Sequence, residues 1–167
     1  MISIRPMELQ EYDFLMDMHY ESISIVQGKP SRSELLCSPD IVKYNENWGK
    51  EGDRALIALI DNQPAGAAWY RLFDETNQGY GFVDAETPEL GVAIRPGYRK
   101  RGLGIRLMEA IIQQAVSDGY PSVSLSVDPE NQAAVRLYDK LGFEYFGISG
   151  TSRTMKLNIR LNGFYTI

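Results

Sequence analysis

The chain has 167 residues, enough for one sizeable core, with 44% hydrophobic and 23% charged positions and a net charge of −5 from 17 basic and 22 acidic residues. That balance argues against nucleic acid or an anionic membrane as the main partner, since both select a dominant positive face, and it favours cationic substrates. A single cysteine, Cys37, excludes an internal disulfide, and no zinc-type cluster accompanies the single histidine, His19. The N-terminus carries no apolar signal region, and the longest apolar run, residues 55–60, is far too short for a bilayer, so a cytoplasmic protein is expected.

Residues 2–5 alternate in polarity as a short strand that Pro6 ends. Residues 8–24 follow as a helix with a ragged apolar face of Leu9, Phe14, Leu15, Met18 and Ile23, broken at Gly28-Lys29-Pro30-Ser31. Two helical pieces are expected at 32–36 and 41–47, the second capped by Ser38 or Asp40. This irregular region holds Tyr12, His19, Tyr20, Tyr44 and Trp48. They read either as ordinary half-buried aromatics or as one wall of a substrate pocket.

From residue 54 the pattern turns to strands: 55–60, a hairpin turn at 61–64, then 65–73 carrying Trp69 and Tyr70. The connection 74–87 is acidic, with Asp74, Glu75, Asp84 and Glu86, and 80–83 has a trace of strand character. It reads either as a solvated loop or as a negative rim that attracts an ammonium group. Residues 89–94 alternate as a strand and Pro96-Gly97 ends it. A long helix then runs to Gly119, a strand spans 122–127, and a helix opens after Asp128-Pro129-Glu130-Asn131 and stops at Gly142. Strands at 143–148 and 151–159 close the pattern. The apolar tail 161–167 is suited to packing, with a neighbouring subunit of a homodimer as one candidate. The expected fold is α/β, a mixed sheet with helices on both faces, and the crossover from 89 to 127 should join parallel strands in the right-handed sense.

The stretch that carries chemistry is ELGVAIRPGYRKRGLGIRLM, residues 89–108. Arg99, Lys100 and Arg101 lead into Gly102-Leu103-Gly104 at a helix start, where backbone N–H groups lack intrahelical partners and the helix dipole is positive. Such a turn reads either as an anion cradle suited to a phosphate or pyrophosphate or as a glycine-rich turn with solvated basic residues. It is not a Walker loop, because Leu103 and Gly104 stand where Lys and Ser/Thr are required, and Leu107 blocks the third position of a dinucleotide fingerprint.

The remaining pattern, Arg-x-x-Gly-x-Gly from Arg99 to Gly104 between a strand and a helix, resembles the acyl-CoA-binding motif of the GNAT superfamily of N-acetyltransferases. A second stretch, NQAAVRLYDKLGF at 131–143, matches the family's Asn-x-x-Ala-x-x-Leu-Tyr-x-x-x-Gly-Phe at every named position. The resemblance covers residues 54–159 in element order; the N-terminal helices match only by position. It implies one acyl-CoA N-acyltransferase domain over 1–167, with a mostly antiparallel central sheet. Residues 1–50 would be the helical substrate side and 54–159 the sheet and acetyl-CoA-binding core.

The implied activity is direct transfer of an acetyl group from acetyl-CoA to a primary amine of a small molecule or peptide in a ternary complex, with no metal. Backbone groups of Val92, Ala93 and Ile94 would pair with the pantetheine arm, and a β N–H of Val92 or Ala93 would hold the thioester oxyanion. Residues Arg99, Lys100, Arg101, Gly102, Leu103 and Gly104 would hold the pyrophosphate. Asn131 would bond the CoA arm or adjacent backbone. Tyr138 would be the acid for the leaving thiolate. Glu89 would be the base, with Glu86, Asp84 or a water chain as alternatives. A catalytically silent CoA-binding module is the competing expectation, and acetylation of aminoacyl-tRNA is disfavoured by the acidic balance.

Overall fold

The computed structural model describes residues 1–160; the tail 161–167, on which the expectation of a neighbouring subunit rests, lies outside them. The elements are β1 (Ile2–Pro6), α1 (Tyr12–Ser22, after a 3₁₀ turn at Leu9–Glu11), α2 (Arg32–Leu36), β2 (Arg54–Ile60), β3 (Gln63–Arg71), β4 (Glu89–Ile94), α3 (Leu103–Ser117), β5 (Ser122–Val127), α4 (Gln132–Leu141), β6 (Glu144–Ser149) and β7 (Ser152–Asn158). The strands form a seven-stranded sheet in the order β1-β2-β3-β4-β5-β7-β6. β1 runs antiparallel to β2 from Ile2↔Ile60 to Pro6↔Leu56, and β7 is antiparallel to both β5 and β6. β4 and β5, joined by the long crossover, are parallel and register at Glu89↔Ser124. This is the mixed sheet expected from the order of apolar patterns, mostly antiparallel in its pairings as the family resemblance implies.

By packing, the chain divides into two compact units, the first Met1–Trp69 with Gly91–Ala110, the second Tyr70–Leu90 with the chain from Ile111 onward. In the first unit the core gathers Leu15, Met16 and Met18 of α1, Leu36 of α2, and Ile57, Leu59, Ala67, Trp69 and Ala93 of the strands. Ser31 caps α2 by accepting from the Glu34 N–H. Asp61 and Asn62, at φ 50° and 67°, make the two-residue turn between β2 and β3 that right-twisted strands favour. The opposite face of β3 meets α3: a Cβ added at Gly66 would lie 3.2 Å from Leu107 Cδ1 and 2.8 Å from Ile94 Cδ1. β2 and β3 are buried on both faces through their middles, which explains the continuous apolar reading of residues 55–60.

In the second unit β5 is buried on both faces, with Ser122 and Ser124 as enclosed as Val123 and Leu125. Tyr70 donates a short hydrogen bond to Asp118 beyond the end of α3, and its ring meets Tyr120 edge-on. Gly142, at φ 95°, ends α4 in the left-handed conformation.

Two expected elements differ. Residues 41–47 give only a 3₁₀ turn, Val42–Tyr44, with Ile41 at its N-cap. The Ser38 hydroxyl donates back to the Leu35 carbonyl at 2.7 Å instead of capping a helix, and Asn47 turns left-handed at φ 52°. Residues 80–83 form no strand, because the carbonyls of Tyr80 and Gly81 are taken by side chains of other elements.

Candidate functional site

In the first unit, β4 leads directly into the basic turn. Val92 and Ile94 are half-buried and Ala93 is buried, and the Arg95 N–H donates to the Ala65 carbonyl at 2.8 Å, fixing the strand's end. Gly97, Lys100 and Gly102 then adopt φ of 94°, 62° and 77°. Three left-handed residues in six positions coil the chain tightly back onto the start of α3, and Leu103, 1% exposed, anchors that helix. The first turn of α3 carries no acidic residue, so nothing there neutralises the positive helix end.

The three bases do different work. Arg99 braces the turn: its Nε donates to the Ile94 carbonyl at 3.2 Å, and its Nη2 reaches Glu21 of α1 at 3.3 Å. Arg101 donates to the Gly97 carbonyl at 3.5 Å and lies over the Tyr98 ring, which Arg95 also approaches. Lys100 is exposed and contributes its charge to the mouth of the turn. The sequence pattern treats these residues alike; only the fold separates brace from free charge.

The other face of β4 holds a feature that motif reasoning missed. The indole of Trp69 lies directly on Gly91: a Cβ added there would overlap indole Cε2, Cζ2 and Nε1, the last at 2.6 Å. Buried His19 stacks on Trp69 with centroids 4.4 Å apart and planes at 25°, and Trp48 meets His19 edge-on at 5.7 Å. The available signal was a glycine inside a strand, which marks a close approach to backbone.

In the second unit Glu89 is buried, 6% exposed, and its Oε1 accepts from the Gly81 N–H at 3.0 Å. The Ser124 hydroxyl donates to the Gly81 carbonyl at 2.6 Å and the Thr154 hydroxyl to the Tyr80 carbonyl at 3.0 Å. A Cβ at Gly81 would stand 2.7 Å from the Leu125 carbonyl carbon. The acidic connection is thus pinned at 80–81 to β5 and β7, while Glu75 and Glu86 stay exposed. Asp74 and Asp84 mainly shape turns: Asp74 accepts from Thr76 N–H and hydroxyl, which holds its pKa below the usual range, and Asp84 accepts from the Glu86 N–H and the Thr87 hydroxyl.

On α4, Asn131 is the N-cap, its Oδ1 accepting from the Ala134 N–H at 3.3 Å, which leaves its side-chain N–H groups to donate. Tyr138, two turns on, is 9% exposed and meets Phe143 edge-on at 5.9 Å. Burial pushes its phenol pKa up to about 12, so the hydroxyl keeps its proton at neutral pH.

Among the described residues there is no group of His, Cys, Asp and Glu able to hold a metal ion, and no helix long and apolar enough to cross a membrane. Residues 18–143 match the acetyltransferase (GNAT) family. The mycothiol acetyltransferase of Nocardiopsis dassonvillei is 30% identical over 116 residues, covering 68% of this chain and 34% of that protein. The ribosomal protein bS18-alanine N-acetyltransferase of Salmonella typhimurium is 36% identical over 99 residues, covering 58% of this chain and 60% of that protein. The chain therefore spans between about a third and three-fifths of the length of these relatives. In fold it is similar to yncA of Salmonella typhimurium, solved with acetyl-CoA, at a TM-score of 0.69 and 18% identity over 95% of this chain and 94% of that one. A family match that begins in α1, takes in the basic turn and ends one residue past the glycine that stops α4 leaves one assignment: the chain belongs to the GNAT family of acetyltransferases.

Proposed function

We propose that the protein transfers an acetyl group from acetyl-CoA to a primary amine of a small molecule or peptide, by direct attack in a ternary complex. The observation that carries this reading is the left-handed basic turn at 97–102, which sets positive charge and the start of α3, free of acidic residues in its first turn, at the end of β4. Residues 99–104 would hold the pyrophosphate, with Arg99 as brace and Lys100 and Arg101 supplying charge. The backbone of Val92, Ala93 and Ile94 would take the pantetheine arm. The N–H of Val92 or Ala93 would hold the thioester oxygen as charge develops on it. Asn131 would donate to the CoA arm through the side-chain N–H groups its cap leaves available.

An alkyl ammonium of pKa about 10.4 must lose a proton before its nitrogen attacks the thioester carbon. Glu89 is the base in this reading, reached through water, with the Gly81 N–H holding its Oε1 in place. As the carbon–sulfur bond breaks, Tyr138 gives its proton to the departing sulfur, and the second proton, shed by the nitrogen as it becomes an amide, restores the phenol. The names of the relatives, one a mycothiol acetyltransferase and one a ribosomal-protein alanine N-acetyltransferase, favour acceptors from both small-molecule and peptide classes.

The test is the full chain with acetyl-CoA and a panel of amines: polyamine, amino acid, aminoglycoside and peptide N-terminus, read by free thiol. Transfer to one class is expected. Acetyl-CoA binding without transfer to any of them would overturn the enzymatic reading and leave a CoA-binding module.

A further inference from the structure

Gly91 poses a mechanical problem. No side chain fits between its backbone and the Trp69 indole. Yet glycine is the residue whose backbone turns most freely, and it stands immediately before Val92, in whose peptide plane a proposed oxyanion N–H lies. Left to itself, Gly91 would let that plane rotate.

We propose that Trp69 is a positioning residue for acyl transfer: its indole, seated on Gly91 and stacked with His19, fixes the Gly91–Val92 peptide plane and so aims the Val92 N–H. Three observations converge. The indole touches Gly91 along the edge of both its rings, at Cε2, Cζ2 and Nε1, so any rotation of the Gly91 backbone meets ring atoms. The indole is itself held, because the His19 ring is stacked on it at 4.4 Å and Trp48 meets His19 edge-on. The strand is held beyond Val92 as well: a Cβ added at Gly66 would lie 2.9 Å from the Ala93 carbonyl oxygen, and the Arg95 N–H bonds the Ala65 carbonyl at 2.8 Å. The peptide between the clamps therefore has one orientation. A donor held in advance toward developing charge is worth far more than one that must reorient during the reaction.

This inference rests on the acyl-transfer reading above. Its test is a double-mutant cycle of Trp69→Leu, Gly91→Ala and the pair, with Trp69→Phe as the conservative variant, each checked by thermal melt and by acetyl-CoA affinity. Trp69→Leu should lower kcat by roughly tenfold or more, less than the hundredfold or greater loss typical of deleting such a donor, with the KM for acetyl-CoA within about twofold. Trp69→Phe, which keeps a ring over Gly91, should recover most of the rate. Gly91→Ala alone should be as damaging as Trp69→Leu, because its methyl group displaces the indole. Added to Trp69→Leu it should do little further harm. A folded Trp69→Leu protein with wild-type kcat, or additive losses in the pair, would overturn the proposal while leaving acyl transfer intact. Absence of transfer by the wild-type chain would overturn both.

Discussion

Tyr138 must surrender a proton to sulfur, and its surroundings decide when that proton is present. Among the described residues no charge offsets its burial, which raises its pKa to about 12. Tyr138→Phe should lower kcat by roughly a hundredfold, the lower range for loss of a general acid, with acetyl-CoA affinity within about twofold. An unchanged rate removes Tyr138 from the mechanism. The same group makes an alkaline prediction. Unfolded, it releases its proton near pH 10; folded, near 12. Between those values the unfolded chain binds fewer protons, so stability present below pH 10 is lost as pH rises, by about 2–3 kcal/mol in all. Denaturant melts across that window should fall more steeply for the wild type than for Tyr138→Phe, and a tyrosinate absorbance difference between the two should have its midpoint near 12. A midpoint near 10 would show the phenol to be exposed.

At the scale of elements, legibility followed how local the determining contacts are. The strand 89–94, the basic turn and the Asn131–Gly142 helix are specified by neighbours in sequence: alternation, breakers, a cap and a left-handed stop. The family motifs fall on those same stretches. Residues 80–83 could not be read that way. Their partners, Ser124 and Thr154, lie 43 and 74 positions away, and a Ser-Val-Ser-Leu-Ser-Val strand offers no sign that one hydroxyl has a structural partner. Trp69 and Gly91 were invisible for the same reason, 22 residues apart on different strands. The short turn at Val42–Tyr44 differs for a local reason: the Ser38 hydroxyl turns back to the Leu35 carbonyl and caps nothing, and Asn47 leaves the helical region at φ 52°.

The pinned connection carries its own prediction. The Ser124 hydroxyl is fully buried and is what ties the Gly81 carbonyl to β5. Ser124→Ala leaves that carbonyl without its donor, and should cost about 1–3 kcal/mol in denaturant melts. Because the Gly81 N–H is also the brace on Glu89, kcat should fall as well, with acetyl-CoA affinity little changed. Lost stability at undiminished kcat would show that the brace is not needed for turnover, and would weaken the case for Glu89 as base.

Over the whole molecule, the charge balance works against the ligand proposed for it. A protein of net charge −5 repels a polyanion at long range, so attraction must come from residues close to the bound phosphates. Of the bases in the turn, Arg99 is tied to Ile94 and Glu21, leaving Lys100 and Arg101 to carry the local attraction. Added salt screens both the long-range repulsion and the short-range attraction, so acetyl-CoA affinity should depend on salt less steeply than in a basic protein with the same contacts. Thermal shift measures this directly. At a hundredfold excess over Kd a ligand specific for the folded state adds about 2.7 kcal/mol, or roughly 5–10 °C for a chain of this length. Replacing Lys100 and Arg101 together by Ala should remove more than half of that shift at the same acetyl-CoA concentration, with the ligand-free Tm nearly unchanged. Arg99→Ala should instead lower the ligand-free Tm, because it releases the turn from β4 and α1. A Lys100/Arg101 double variant that keeps the full shift would place the pyrophosphate somewhere other than this turn.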